Sequence, residues 1–195
     1  MRFQLGTVVL LAAMGAAVMS AAEKTEKKVV DVYVDGRDGS SILLGPGTAM
    51  ASAIFDKIGV RIHWRTGAVP EGANAIGIRT AEHAAESATS EALASTHLVG
   101  ALATEITVYK DRLQRFLDNH RSLKEVAAAY VLAHELAHAM QGVGRHSETG
   151  IMRAHWSNED YQEMVFHKLA FASVDVDLIH RGLTPQVASS NVAER

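Results

Sequence analysis

The segment from His134 to Met152, HELAHAMQGVGRHSETGIM, constrains this 195-residue chain more than any other part of its sequence. His134 and His138 are four residues apart, so a helix through them places both imidazoles on one face, close enough to bind one metal ion. Glu135, between them, is the residue type that acts as general base in zinc-dependent hydrolysis. The segment therefore predicts a helix that carries a catalytic zinc site.

A catalytic zinc site takes three protein ligands and leaves one coordination position for water. His134 and His138 supply two ligands, and the sequence offers two kinds of third ligand. His146 stands eight residues after His138, beyond two glycines that let the chain leave the helix and turn back. A carboxylate on the following helix, Glu159 or Glu163, is the alternative, although the helix dipole alone also favours acidic residues in a first turn. The motif favours the three histidines as the metal ligands.

The N-terminus has the pattern of a secretory signal peptide. Arg2 precedes an uncharged stretch, residues 3–22, that is rich in Val, Leu, Ala and Met. Ser20 and Ala22 then stand at the −3 and −1 positions of a cleavage site. Residues 1–22 are therefore predicted to be a signal peptide and the mature protein to be secreted or periplasmic, with no stable membrane association. A retained anchor is the alternative, because the apolar stretch approaches the ~20 residues that span a bilayer.

Composition limits the remaining possibilities. The chain has no cysteine, which excludes disulfides and thiolate metal sites. The formal net charge is −3 and becomes −4 without residues 1–22, whose one charged side chain is Arg2, so nucleic acid is not an expected partner. The length suits one domain with a full-sized core. We expect residues 23–195 to form a single catalytic domain, with residues 186–195 as a loose tail.

The first half of the mature chain alternates between strand and helix signals. Val29–Val34 and Val60–Arg65 have strand patterns and flank a helix predicted over Ala49–Ile58, with Thr48 as its N-cap. This order predicts a right-handed βαβ unit with parallel strands. Ala81–Thr96 has no persuasive period and is predicted to be a loop with some helix. Further strands are predicted at Ala75–Arg79, Leu98–Leu102 and Glu105–Lys110.

The helix that carries the histidines has start and stop signals of its own. Ser122 and Glu125 match a capping box, and Gly142 suits the C-cap, so this helix is predicted over Leu123–Gln141. A short helix is also predicted just before it, over Arg112–Asn119.

A second capping box predicts the last helix. Ser157 and Asp160 form the box, and the apolar stripe that follows continues to Gly182. The sequence therefore predicts one long helix over Asn158–Arg181.

The segment around the histidines resembles the metzincin family of zinc peptidases, which carry His-Glu-x-x-His-x-x-Gly-x-x-His and then a methionine turn. The resemblance implies an α+β, zincin-like catalytic domain with a small mixed twisted sheet, an active-site helix carrying HExxH, a Met turn and a C-terminal helix. It also implies that His134, His138 and His146 bind Zn²⁺, that Glu135 is the general base, and that Met152 lies in the turn that supports the metal.

This chain departs from the family motif in the loop before the third histidine. The family's glycine position is occupied by Gln141, and the position of its third histidine by Gly144. The loop is therefore two residues longer before His146 is reached. Such an extension adds little to the entropy of loop closure.

The resemblance implies a secreted zinc-dependent endopeptidase that acts on a peptide or protein substrate. We expect the substrate to lie extended beside an edge strand, for which Leu98–Ala103 is the candidate. Two alternatives remain open at the level of sequence. One is a non-catalytic zinc- or peptide-binding module of the same fold, and the other is a gluzincin-type hydrolase with Glu159 as the third ligand.

Overall fold

A computed structural model describes residues 27–36, 40–86, 88, 92–99 and 103–184. The predicted signal peptide and the predicted loose tail lie outside these residues. Within the part that is described, no helix is long and apolar enough to cross a membrane.

Five strands form one mixed sheet in the order β2-β1-β3-β5-β4. β1 pairs in parallel with β2 and β3, β3 pairs in parallel with β5, and β4 pairs antiparallel with β5 at the edge. The predicted parallel pairing of the first two strands is confirmed. The strands are β1 Lys28–Val34, β2 Val60–Thr66, β3 Ile76–Ala81, β4 Ala94–Val99 and β5 Ala103–Tyr109.

The edge strand differs from the prediction. The sequence placed a loop up to Thr96 and a strand at Leu98–Leu102, whereas β4 covers Ala94–Val99 and residues 100–102 lie outside the described part. Ala94 and Ser95 have weak strand propensity, so their sequence gave no strand signal. Pairing with β5, together with burial of the Ala94 side chain, outweighs that propensity.

The described residues contain five α-helices, most of them packed around the third. α3 contacts α1, α4, α5, β4 and β5, and it contributes a continuous run of buried side chains from Ala127 to Ala133. Because α3 is packed on several sides, the positions of its polar side chains are fixed by the core. The helices are α1 Ser40–Asp56, α2 Lys110–Asn119, α3 Lys124–Gln141, α4 Asn158–Val165 and α5 Ser173–Gly182.

α1 begins nine residues earlier than predicted, so the expected N-cap at Thr48 is wrong. The Thr48 hydroxyl instead donates to the Gly45 carbonyl inside the helix, at 2.9 Å. Close packing against α3 explains the glycine at position 47, because a Cβ there would lie 3.1 Å from the Ala129 nitrogen. Glycine at this point lets α1 approach α3 closely.

The predicted long C-terminal helix is two helices. α4 ends at Val165, His167 adopts a left-handed conformation with φ of 54°, and α5 begins at Ser173. Leu169, between the helices, is 3% exposed and Ile179, on α5, is fully buried. Because the apolar spacing continues across the break, hydrophobic periodicity could not reveal it.

The ends of α3 match the prediction in part. Gly142 is the left-handed C-cap, with φ of 66° and its N–H donating to the His138 carbonyl. At the other end the N-cap is Leu123 without a side-chain bond, so the capping box predicted from Ser122 and Glu125 does not form. A 3₁₀ turn over Arg121–Leu123 precedes the helix instead.

Candidate metal centre

Three imidazoles converge at the C-terminal end of α3. His134 and His138 lie one helical turn apart, and the loop after Gly142 brings His146 back beside them. The Nε2 atoms of His134 and His138 are 3.1 Å apart, and those of His138 and His146 are 3.3 Å apart. The structure therefore brings together the three side chains that the sequence singled out as ligands.

These distances suit a tetrahedral zinc ion. Zinc binds imidazole nitrogen at about 2.0–2.1 Å, so two ligand atoms on a tetrahedron lie roughly 3.3–3.4 Å apart. The three ligand atoms, all within 4.8 Å of one another, form the one group of three or more His, Asp or Glu side chains suited to a metal in the described part. A set of three imidazole nitrogens is typical of zinc with one position left open.

Hydrogen bonds to the main chain orient the two helix-borne rings. His134 Nδ1 is 2.8 Å from the Ile151 carbonyl oxygen, and His138 Nδ1 is 3.4 Å from that of Val143. A carbonyl can only accept, so each Nδ1 carries the proton and each Nε2 keeps its lone pair for a metal.

The electrostatics of the cluster also favour neutral imidazoles. Burial, His138 and His146 together lower the pKa of His134 to about 4, against the raising effect of its bond to Ile151. Burial and His146 lower the pKa of His138, and burial and His155 lower that of His146. The rings are therefore uncharged at neutral pH, which is the form that binds metal.

Glu135 occupies the same cleft, one residue after the first histidine. Burial raises the pKa of its carboxyl to about 7, and a hydrogen bond from Thr96 acts in the opposite direction. The Thr96 hydroxyl on β4 donates to Glu135 Oε2 at 3.4 Å. A carboxylate with a pKa near neutrality is suited to accept and return a proton at physiological pH.

A tight turn shapes the chain after His146. The Ser147 N–H donates to the Met152 carbonyl at 2.8 Å, and the Ile151 N–H donates to the Ala170 carbonyl at 3.0 Å. Met152 belongs to this turn and is fully buried, and its role as a support for the metal stays a prediction.

Gly150 is required at the start of the turn. It has φ of +76°, and a Cβ there would lie 2.4 Å from the Ala170 oxygen. Only glycine fits both the conformation and the space.

The side chains on either side of His146 bind one carboxylate on α5. Asp175 Oδ1 accepts a hydrogen bond from Arg145 Nη1 at 2.9 Å and one from Ser147 Oγ at 2.7 Å. Asp175 was not predicted from the sequence as a site residue. One signal in the sequence could have indicated that Asp175 is buried. It lies four residues before Ile179, on the same face of α5, and both side chains are buried.

Aromatic residues line one side of the site. Trp156 stands edge-on to the His134 ring, with centroids 5.8 Å apart, and its Nε1 donates to the Ile151 carbonyl at 3.2 Å. Phe116 and Tyr161 pack around Trp156. This wall gives the cleft a largely apolar side next to the histidines.

The site opens into a cleft of about 1010 Å³. The cleft is lined by residues 92–97 of β4 and its approach, by residues of α3, by the loop over residues 142–146 and by the aromatic residues. The volume is that of a substrate-sized groove rather than a closed metal site.

Glu159 and Glu163 are exposed on α4 and lie outside the histidine cluster. Backbone hydrogen bonding and the Ser157 side chain lower the pKa of Glu159, as expected for a residue in a first turn. The capping box predicted at Ser157 and Asp160 is confirmed, and Asp160 also accepts a bond from Arg153 at 2.8 Å.

Solved structures that are similar to this chain include the following two. Archaemetzincin from Methanopyrus kandleri matches with 17% identity and a TM-score of 0.47, covering 83% of this chain and 98% of its own. The GM1-bound form of the ECX AB5 holotoxin matches with 12% identity and a TM-score of 0.44, covering 80% of this chain and 79% of that chain. No family model and no curated protein matches the sequence. Assignment of the site therefore rests on the residues of the chain itself.

Proposed function

We propose that this protein is a zinc-dependent endopeptidase that acts outside the cytoplasm. The observation that carries the proposal is that His138 Nε2 lies 3.1 Å from His134 Nε2 and 3.3 Å from His146 Nε2, close to the edge length of a zinc tetrahedron, with Glu135 in the same cleft. Three neutral imidazoles with an adjacent carboxylate form the donor set of a hydrolytic zinc site.

Glu135 provides the proton transfer in the proposed reaction. When bound, zinc would supply electrophilic activation of both the attacking water and the scissile carbonyl. The Glu135 carboxylate accepts a proton from the water and delivers it to the leaving nitrogen. Its pKa, raised to about 7 by burial, keeps the proton available for the second step.

The edge strand supports a peptide as the substrate class. The Tyr109 N–H donates to the Leu93 carbonyl at 2.9 Å, and hydrogen-bonded pairs alternate along an antiparallel ladder. By that parity, Ser95 and His97 direct their main-chain groups toward β5, whereas Ala94 and Thr96 direct theirs toward the free edge. An extended peptide can pair with this edge beside Glu135. We therefore propose β4, and not Leu98–Ala103, as the edge strand that pairs with the substrate.

The experiment that tests this function measures bound zinc and hydrolysis of a broad peptide library together. We expect about one zinc per chain, and we expect Glu135→Gln to retain zinc and lose at least ~10²-fold in hydrolysis rate, the scale of general-base catalysis. Glu163→Gln is the matched control, because Glu163 is exposed and outside the cluster. Hydrolysis that survives Glu135→Gln would reject the assigned base. Zinc binding without any turnover would support the non-catalytic alternative.

The third ligand and the location are tested separately. Zinc content should fall in His146→Ala and stay unchanged in Glu159→Ala, and the reverse result would support the gluzincin arrangement. Export is proposed from the N-terminal sequence alone. It predicts that the secreted protein begins at Glu23, which N-terminal sequencing checks directly.

A further inference from the structure

Asp175 differs from the other acidic residues of the described part. Its side chain has 0% exposure although it is ion-paired, whereas the remaining ion-paired carboxylates range from 11% to 71% exposed. One oxygen accepts two hydrogen bonds, and the other, Oδ2, has no partner among the described residues. A buried carboxylate is unfavourable unless it is paired and fully bonded. The burial of the Asp175 carboxylate therefore needs a functional explanation.

The two donors to Asp175 are the residues immediately before and after His146. Arg145 and Ser147 both reach the same oxygen, Oδ1, from opposite sides of the histidine in sequence. His134 and His138 are held by the α3 backbone and by bonds from their own Nδ1 atoms. In the described part, the contacts that fix the backbone of His146 are made by its neighbours.

We propose that Asp175 is a positioning residue for the third metal ligand. It ties both neighbours of His146 to α5 and so holds the imidazole over α3 before any metal arrives. The inference rests on the proposed zinc site and identifies what completes it. Without this tie, the loop with its two glycines must be ordered at the moment of metal binding, which weakens the affinity for the metal.

Residues that orient metal ligands typically contribute 10–100-fold to metal affinity. We expect Asp175→Asn to weaken zinc binding by that factor, because an amide oxygen cannot hold the Arg145 guanidinium as a carboxylate does. Ser147→Ala removes one of the two bonds and should weaken zinc binding several-fold. Asp177→Asn is the matched control, since Asp177 is an exposed acid on the same helix, and its zinc affinity should stay within twofold of wild type.

The experiment is zinc titration against a competing chelator, with the absorption spectrum of the cobalt-substituted protein as a readout of coordination geometry. We expect weaker binding and an altered cobalt spectrum for Asp175→Asn and not for Asp177→Asn. A purely structural role would lower the melting temperature of the metal-free protein while leaving zinc affinity and spectrum unchanged, and that result would overturn the proposal. If Asp175→Asn does not fold, Ser147→Ala decides, and wild-type affinity there would also overturn it.

Failure of this inference differs from failure of the proposed function. If wild-type protein binds no zinc, the proposed function and the positioning role both fall. If wild type binds zinc and His146→Ala does not, while the Asp175 and Ser147 variants bind as wild type does, the metal site stands and the positioning role alone is wrong.

Discussion

The two parts of the candidate site are held in place by different means. His134 and His138 lie on α3, where the four-residue spacing and the rigid helix set their separation. His146 lies in an irregular loop whose position depends on contacts with α5 and with the segment that contains Ala170. The backbone positions of the helix ligands are set by residues close in sequence, whereas that of the loop ligand is set by residues 24 to 29 positions away.

The helix side of the site is therefore robust, and the loop side is sensitive to substitution. α3 is buried among α1, α5 and the sheet, so its histidines move only if the core moves. The loop over residues 142–152 contains three glycines and is closed by a small number of hydrogen bonds. Removal of the loop histidine should therefore reduce overall stability less than removal of a helix histidine does.

Removal of a ligand gives the largest expected effect. His134→Ala and His146→Ala should each weaken zinc binding by about 10³-fold, because the ~10–16 kcal/mol of a full zinc site is shared among its ligands. Chelator competition measures this loss, and hydrolysis should disappear with it.

The same pair of variants distinguishes helix from loop in the metal-free protein. His134→Ala loses a bond from a partly buried ring to the Ile151 carbonyl and should be less stable than wild type by about 1 kcal/mol, with a lower unfolding temperature. His146→Ala should unfold with wild-type stability. Equal losses in the two variants would contradict the contrast between the two regions.

Two glycines provide the next comparison. Gly142→Ala and Gly150→Ala both place a side chain at positive φ, but the Cβ at position 142 meets nothing within 4 Å and the one at 150 meets the Ala170 oxygen at 2.4 Å. We expect about 1 kcal/mol for the first and about 3 kcal/mol for the second, with weakened zinc binding only for the second. Chemical denaturation and zinc titration check both values.

The pH dependence of Glu135 tests the helix side of the site. Because its pKa rises from 4.5 to about 7 on folding, the folded protein binds this proton more tightly than the unfolded chain. Stability is therefore lost as the pH rises from 4.5 toward 7. In metal-free protein, Glu135→Gln should be more stable than wild type at pH 8 by about 1–2 kcal/mol, after allowance for solvent in the open cleft. The difference should vanish near pH 4, and a gain that persisted there would contradict the cause given.

The smallest expected effect concerns the two capping boxes that the sequence predicted. Ser157→Ala removes the bond that Asp160 N–H makes to the Ser157 hydroxyl and should reduce stability by about 1 kcal/mol. Ser122→Ala should change it by less than about 0.5 kcal/mol, because Ser122 is exposed and does not cap α3. Thermal unfolding of the two variants side by side is sufficient, and equal losses would restore the sequence-based interpretation of Ser122.

The features that could be predicted from sequence depend on residues within about one helical turn of each other. They include the spacing of His134 and His138, the left-handed cap at Gly142 and the capping box at Ser157. The parallel pairing of β1 and β2 also followed from local strand signals and the intervening helix. In each case the chemistry of a few neighbouring residues determines the local structure.

The features that were missed depend on contacts between distant residues. The break between α4 and α5 follows the seating of residues 169–171 in the core and against the turn at Gly150, whereas the apolar spacing continues unbroken. β4 forms from weak strand residues because β5 pairs with them. In the sequence, Asp175 looks like any other acidic residue of a helix, and only the folded structure brings Arg145 and Ser147 into hydrogen-bonding distance of it. Hydrophobic periodicity contains no information on such contacts between distant residues.

The position of Trp156 places a fluorescent side chain beside the candidate metal site. The chain has two tryptophans. The other one, Trp64, lies on β2, at the edge of the sheet opposite to β4, and donates to Ser52 Oγ at 2.8 Å. Trp156 shares the Ile151 carbonyl with His134, so the electric field at the indole changes when a dication binds the imidazole. In Trp64→Phe the remaining fluorescence would come from this one indole, and we expect its emission to change with metal binding at the candidate site without any added dye.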